Sequence, residues 1–143
     1  MKKSYGPLVL MMIFSLGLAL SAVGQKTATA QVSETAVFDY EANRFLSSKQ
    51  GEVENHFTGA VITKRLNKMT FVMKVGADSS YTSVFQITDR KHGSRIILAQ
   101  RIDTKAKIKI VQKKHSLEVL CDYNEKEDRF DSAIVFTNID FKD

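Results

Sequence analysis

The chain has 143 residues, with 21 Lys and Arg against 16 Asp and Glu, a formal net charge of +5, one Cys, one Pro and no Trp. That length suits a single domain able to bury most of its apolar surface, and the lone Cys121 excludes an intrachain disulfide framework. The charge permits attraction to an anionic surface without demonstrating it.

The first two dozen residues read as an export signal. Met1, Lys2 and Lys3 form a short positive region, and Leu8 to Leu20 an apolar stretch. Ser21-Ala22-Val23-Gly24 then supplies small residues before Gln25. The apolar stretch is shorter than the roughly 20 residues that cross a bilayer, so cleavage is expected rather than anchoring, with no membrane span afterwards. A second small-residue site, Ala28-Thr29-Ala30, precedes Gln31. No Cys follows either site, which argues against a lipoprotein. Loss of Lys2 and Lys3 would reduce the net charge to about +3. The expected organisation is a signal peptide over 1–24, a flexible segment over 25–34 and one β domain over 35–143, secreted or periplasmic.

From Thr35 onward the apolar residues alternate with period two. Ala36, Phe38 and Tyr40 share one face of a first strand, and Ser47 to Gly51 is a loop with room for one short helix before His56. A strand over 58–64 leads through the turn Arg65-Leu66-Asn67-Lys68 to Met69, Phe71, Met73 and Val75 on one face. Gly76 to Ser80 turns into a strand with Tyr81, Ser83, Phe85 and Ile87 on a common face. After a turn around Gly93, Ile96, Leu98 and Ile102 are expected on one face. Ile108 and Ile110 then alternate with Lys107 and Lys109, and Leu117, Val119 and Cys121 point inward from the next strand. There Cys121 would be a small, inert core residue. A charged loop over 124–129 precedes a long last strand over 130–141, with Ile134 and Phe136 on one face and Val135, Ile139 and Phe141 on the other.

About eight short strands at this spacing imply an all-β domain with antiparallel neighbours in a meander. The expected architecture is an up-and-down barrel resembling the lipocalin-like group, or a two-sheet sandwich. The resemblance is architectural, since without Trp the chain lacks the Gly-x-Trp signature.

Candidate sites follow from residue type and spacing. In a barrel, Phe71, Met73, Tyr81, Phe85 and Phe136 would line an apolar cavity, and Met suits adaptable ligand contacts; in a sandwich they would be core. Lys105, Lys107 and Lys109 recur at period two, with Lys113, Lys114 and His115 in the following turn. They would either grip an anionic partner or protect an edge strand from pairing with another chain. No aromatics interleave with them, which argues against nucleic acid. His56, His92 and His115 lack metal-ligand spacing. In the acidic segment 122–131, Lys126 and Glu127 break the pattern of a calcium-binding loop. Catalysis has little support: there is no Gly-x-Ser-x-Gly, no His near Cys121, and Asp39, Glu41, Glu52 and Glu54 are ordinary surface acids. The expectation is a non-enzymatic module without cofactor or metal that holds a small apolar or amphipathic ligand. The alternative is a surface interaction protein for an anionic partner, and a small hydrolase comes last.

Overall fold

The computed structural model describes residues 24–90 and 95–141; residues 1–23 of the expected signal peptide, the expected turn around Gly93, and His92 lie outside the described residues. Nine strands form one sheet: β1 (Gln25–Asp39), β2 (Arg44–Ser47), β3 (Phe57–Arg65), β4 (Lys68–Val75), β5 (Ser79–Arg90), β6 (Ile96–Arg101), β7 (Lys107–Gln112), β8 (Leu117–Asn124) and β9 (Arg129–Thr137). Each of β3 to β8 pairs antiparallel with the next, and β1 pairs with both β3 and β9. The meander therefore closes into an eight-stranded barrel, with β2 added alongside the second half of β1. Closure removes the open edges a sandwich would retain, and eight strands leave an interior just wide enough for side chains to fill. Among the described residues the one helical element is a 3-10 turn over Ser48–Gln50, inside the stretch with room for a short helix.

β1 corrects the sequence reading. Residues 25–34, expected to be flexible, are its first half: residues 25–30 supply all six register pairs with β3. The inward side chains there are Ala28, Ala30 and Val32, all buried. Small residues suffice because they face a filled centre, so the segment looks polar in sequence while behaving as wall. A bulge between Val32 and Glu34 shifts the pairing with β9 by one residue, which exchanges the two faces. Phe38 and Tyr40 consequently stand outside the barrel. Phe38 stacks edge-on against Phe45 of β2 at 5.3 Å, and the Arg129 guanidinium sits 3.4 Å above the Phe38 ring. The Tyr40 hydroxyl donates to Asp131, and the Asn124 side-chain amide donates to the Tyr40 oxygen at 2.6 Å. This network ties the end of β1 to the β8–β9 hairpin.

Two more faces differ from expectation. In β6 the inward residues are Ile97 and Ala99, not Ile96 and Leu98, and Ile102 is exposed beyond the strand. The larger aliphatics lie on the outer face, which misleads a reading by hydrophobicity alone. The last strand ends at Thr137, because Asn138 adopts a left-handed backbone (φ 55°) that breaks the alternation. Ile139 then turns back over the barrel end, buried, with its N–H on the His115 carbonyl at 3.1 Å.

Leu66, at the tip of the β3–β4 turn, also has a left-handed backbone (φ 51°) and is 75% exposed. A leucine there carries Cβ strain that asparagine tolerates better. Leu66→Asn is expected to raise the stability by about 1 kcal/mol, read as a higher urea midpoint at unchanged slope. A lowered midpoint would show that the exposed leucine contributes more through contact than it loses through strain.

Candidate functional site: an apolar cavity under one mouth of the barrel

The interior is unevenly filled. Toward the end that carries the β3–β4 and β7–β8 turns, Ala28, Ile62, Met69, Ile97, Ile110 and Leu117 meet across the axis, and Ile139 covers them. Toward the other end, which carries the β4–β5, β6–β7 and β8–β9 turns, a cavity of about 180 Å³ remains. Phe136, only 1% exposed, stands between the two halves, with its ring 5.4 Å from that of Phe71.

Each wall residue owes its position to period-two alternation. β4 contributes Phe71 and Met73, β5 Tyr81, Ser83 and Phe85, β7 Ile108, β8 Val119 and Cys121, and β9 Ile134 and Phe136. All five residues expected from the sequence to line a cavity, Phe71, Met73, Tyr81, Phe85 and Phe136, are in this wall. Phe71 and Phe85 meet edge to face at 5.6 Å, which fixes the floor.

The mouth is polar. Arg101, the last residue of β6, continues the inward register of Ile97 and Ala99 and so reaches the rim. Its Nε bonds Asp103 at 2.8 Å, and its guanidinium lies 5.4 Å from the Tyr81 ring centroid. Tyr81 and then Asp103 stabilise its charge and raise its pKa further. Lys107 and Asp122 complete the rim; the Lys107 ammonium is 5.0 Å from the Tyr123 ring centroid, and Asp122 accepts from the Ser132 hydroxyl. Sequence reasoning missed Arg101 because Ile96, Leu98 and Ile102 stand out as the apolar face of this strand, and Arg101 lies on the other, with Ile97 and Ala99. Its two-residue spacing from Ala99 was the available signal.

Cys121 faces inward, as its alternation with Leu117 and Val119 implies, and is partly buried in the cavity wall. Burial pushes its thiol up to about 12, with the neighbouring Asp122 carboxylate adding to the effect. It is therefore a poor nucleophile at neutral pH. Native protein at pH 8 is expected to resist iodoacetamide and react fully once unfolded; rapid native labelling would contradict this. Because the folded thiol holds its proton above its ordinary value near 9, the unfolded chain ionises first. Stability should thus fall as the pH rises from about 9 toward 12, and Cys121→Ala should flatten that part of the profile.

The candidate lysines do not form one surface. β7 is hydrogen-bonded on both sides, so it is not an edge needing protection. Lys109 projects from its outer face, Lys107 at the start of the strand reaches the cavity rim, and Lys105 lies in the preceding turn with a left-handed backbone (φ 62°). Lys113 and Lys114 are in the turn at the opposite end of the strand. His56 and His115 are likewise at opposite ends, His56 lying 3.5 Å from Glu54. Among the described residues, no group of three or more His, Cys, Asp or Glu side chains converges. The acids of the 122–131 segment face partners of their own: Asp128 accepts from Tyr123, and Asp131 from Tyr40, Arg129 and Asn124. Asp39 caps the backbone of Glu41 and Ala42, and Glu52 pairs with Arg44 at 2.7 Å.

No known protein family, curated protein or solved structure matches this chain.

Proposed function

We propose that this chain is an exported, non-enzymatic binding domain whose barrel holds one small apolar or amphipathic ligand at the mouth bearing Arg101. The observation that carries this reading is the uneven interior: one half of a continuous core is packed, while the other is an aromatic-lined cavity of about 180 Å³ under a polar rim that carries Arg101, Lys107 and Asp122. Size sets the ligand class. Apolar cavities of about 150 Å³ stay dry and accept benzene, whereas drug-sized ligands need about 300 Å³ or more. The apolar part of the ligand is then one ring or a short alkyl chain. A negatively charged end would meet Arg101 and Lys107 at the rim.

Titration of the protein with hexanoate and with benzene, followed by NMR, tests this. Saturable shifts are expected at Phe71, Phe85 and Val119 with both. Arg101→Gln should weaken hexanoate by roughly tenfold, since a hydrogen bond to a charged group is worth about 1.5–3 kcal/mol, and should leave benzene unaffected. Shifts spread over the outer surface, without saturation, would overturn the reading.

A further inference from the structure

The two ends of the barrel differ in charge. The packed end carries Lys64, Lys68, Arg90, Arg95, Lys113 and Lys114, with Asp89 and Asp140 as its acids among the described residues. The half around the cavity mouth, residues 39–54, 74–80, 101–107 and 122–131, holds eleven acids and eight cations. The basic surplus of the chain is thus gathered at one end. The same end holds Leu66, which at 75% is the most exposed large apolar side chain among the described residues; Val37, Tyr40, Phe45, Tyr81 and Ile102, the other exposed ones, lie in the mouth half. Leu66 keeps a left-handed backbone that asparagine would tolerate better, and the Arg90 guanidinium holds the turn by donating to its carbonyl at 3.2 Å. A strained leucine in water points to a contact outside the fold. A Cβ built on Gly24 would lie 3.9 Å from the Leu66 Cδ2, so the chain enters β1 beside this tip. Gly24 follows Leu20, the end of the apolar stretch, by four residues, at most about 14 Å of chain.

An apolar tip flanked by cations matches the layering of a bilayer surface. The leucine is buried at the acyl boundary, while Lys and Arg remain at anionic headgroups. We infer that the packed end docks on an anionic bilayer, with Leu66 inserted and Lys68, Arg90, Arg95, Lys113 and Lys114 against the headgroups. A soluble polyanion would use the charges and leave Leu66 without a role; a bilayer uses both. The short tether adds that a bilayer holding the apolar stretch would lie beside this end and not beside the cavity mouth. Docked this way, the mouth opens to water. The inference does not rest on the ligand proposed for the cavity.

The test uses the chain from Gln25, which carries every strand of the barrel, with vesicles of phosphatidylcholine alone or mixed with phosphatidylglycerol. Flotation with the mixed vesicles is expected, and added salt should reduce it. Leu66→Asn should weaken binding by roughly tenfold while unfolding at a higher urea concentration than the parent, so that the loss is not one of folding. Lys113→Gln/Lys114→Gln should weaken it by roughly tenfold or more. Lys105→Gln/Lys126→Gln, which removes the same charge from the mouth half, should bind as the parent does. The chain has no Trp, so Leu66→Trp and Ile102→Trp each place a lone indole, one at either end. With mixed vesicles the emission should shift to the blue in the first and stay unchanged in the second. Equal binding to both kinds of vesicle, parent-like binding by Leu66→Asn, or a blue shift at position 102 in place of 66 would overturn the inference. Retention on heparin without capture by vesicles would also overturn it, and would assign a soluble polyanion.

Discussion

A chain that begins at Gln31 will not form the closed barrel, whereas one that begins at Gln25 will. The two starts correspond to the two small-residue sites after the apolar leader. Residues 25–30 carry every β1–β3 register pair, so the shorter chain leaves the inner edge of β3 unpaired and deletes the buried Ala28 and Ala30. An open edge exposes unpaired backbone groups to water and to other chains, and each buried group left without a partner costs about 1–3 kcal/mol. Against a total stability of about 5–15 kcal/mol, six lost register positions are enough to abolish cooperative folding. Thermal unfolding of the two chains followed by circular dichroism checks this. The expected result is a single sharp transition for the longer chain, and none, with aggregation, for the shorter. Equal midpoints would show that β1 closes the barrel through β9 alone.

The second large effect is expected at Phe136. Phe136→Ala removes the largest fully buried side chain, which stands between the packed half and the cavity. Such truncations cost about 3–5 kcal/mol, through lost transfer energy and the void left behind. For a domain of this size the midpoint should fall by roughly 15 °C or more. The void should also merge with the existing cavity, so the variant is expected to accept a two-ring aromatic such as naphthalene, which the parent excludes. Urea denaturation gives the first quantity and ligand-dependent stabilisation the second. A loss below about 1 kcal/mol would mean that the surrounding strands collapse onto the site.

Strand existence and antiparallel order were legible because most inward positions carry large apolar residues at period two: Met69, Phe71 and Met73 on β4, and Ser83, Phe85 and Ile87 on β5, lie inside as read. The cavity-lining set was legible for the same reason. Three things were not. Alanines at 28, 30 and 99 face inward where neighbouring strands leave little room, and a hydrophobicity pattern passes over them. The bulge at Val32–Glu34 and the left-handed Asn138 each shift the alternation by a residue, and both arise from pairing geometry rather than composition. Barrel or sandwich was open because closure depends on whether β1 meets β9, a contact between residues about a hundred positions apart.

The pairing of the first strand with the last also sets an order of events. Hairpins β3–β4, β5–β6 and β7–β8 can form as soon as each has been synthesised, since each joins neighbours through a short turn. β1 cannot find its second partner until residues 132–137, near the chain terminus, have been made. Until then the nascent sheet keeps two free edges and a half-exposed interior, the state in which β proteins stick to one another. Completion of this fold is thus a late, all-at-once step, and whatever shields its edges must act until β9 is free to pair with β1.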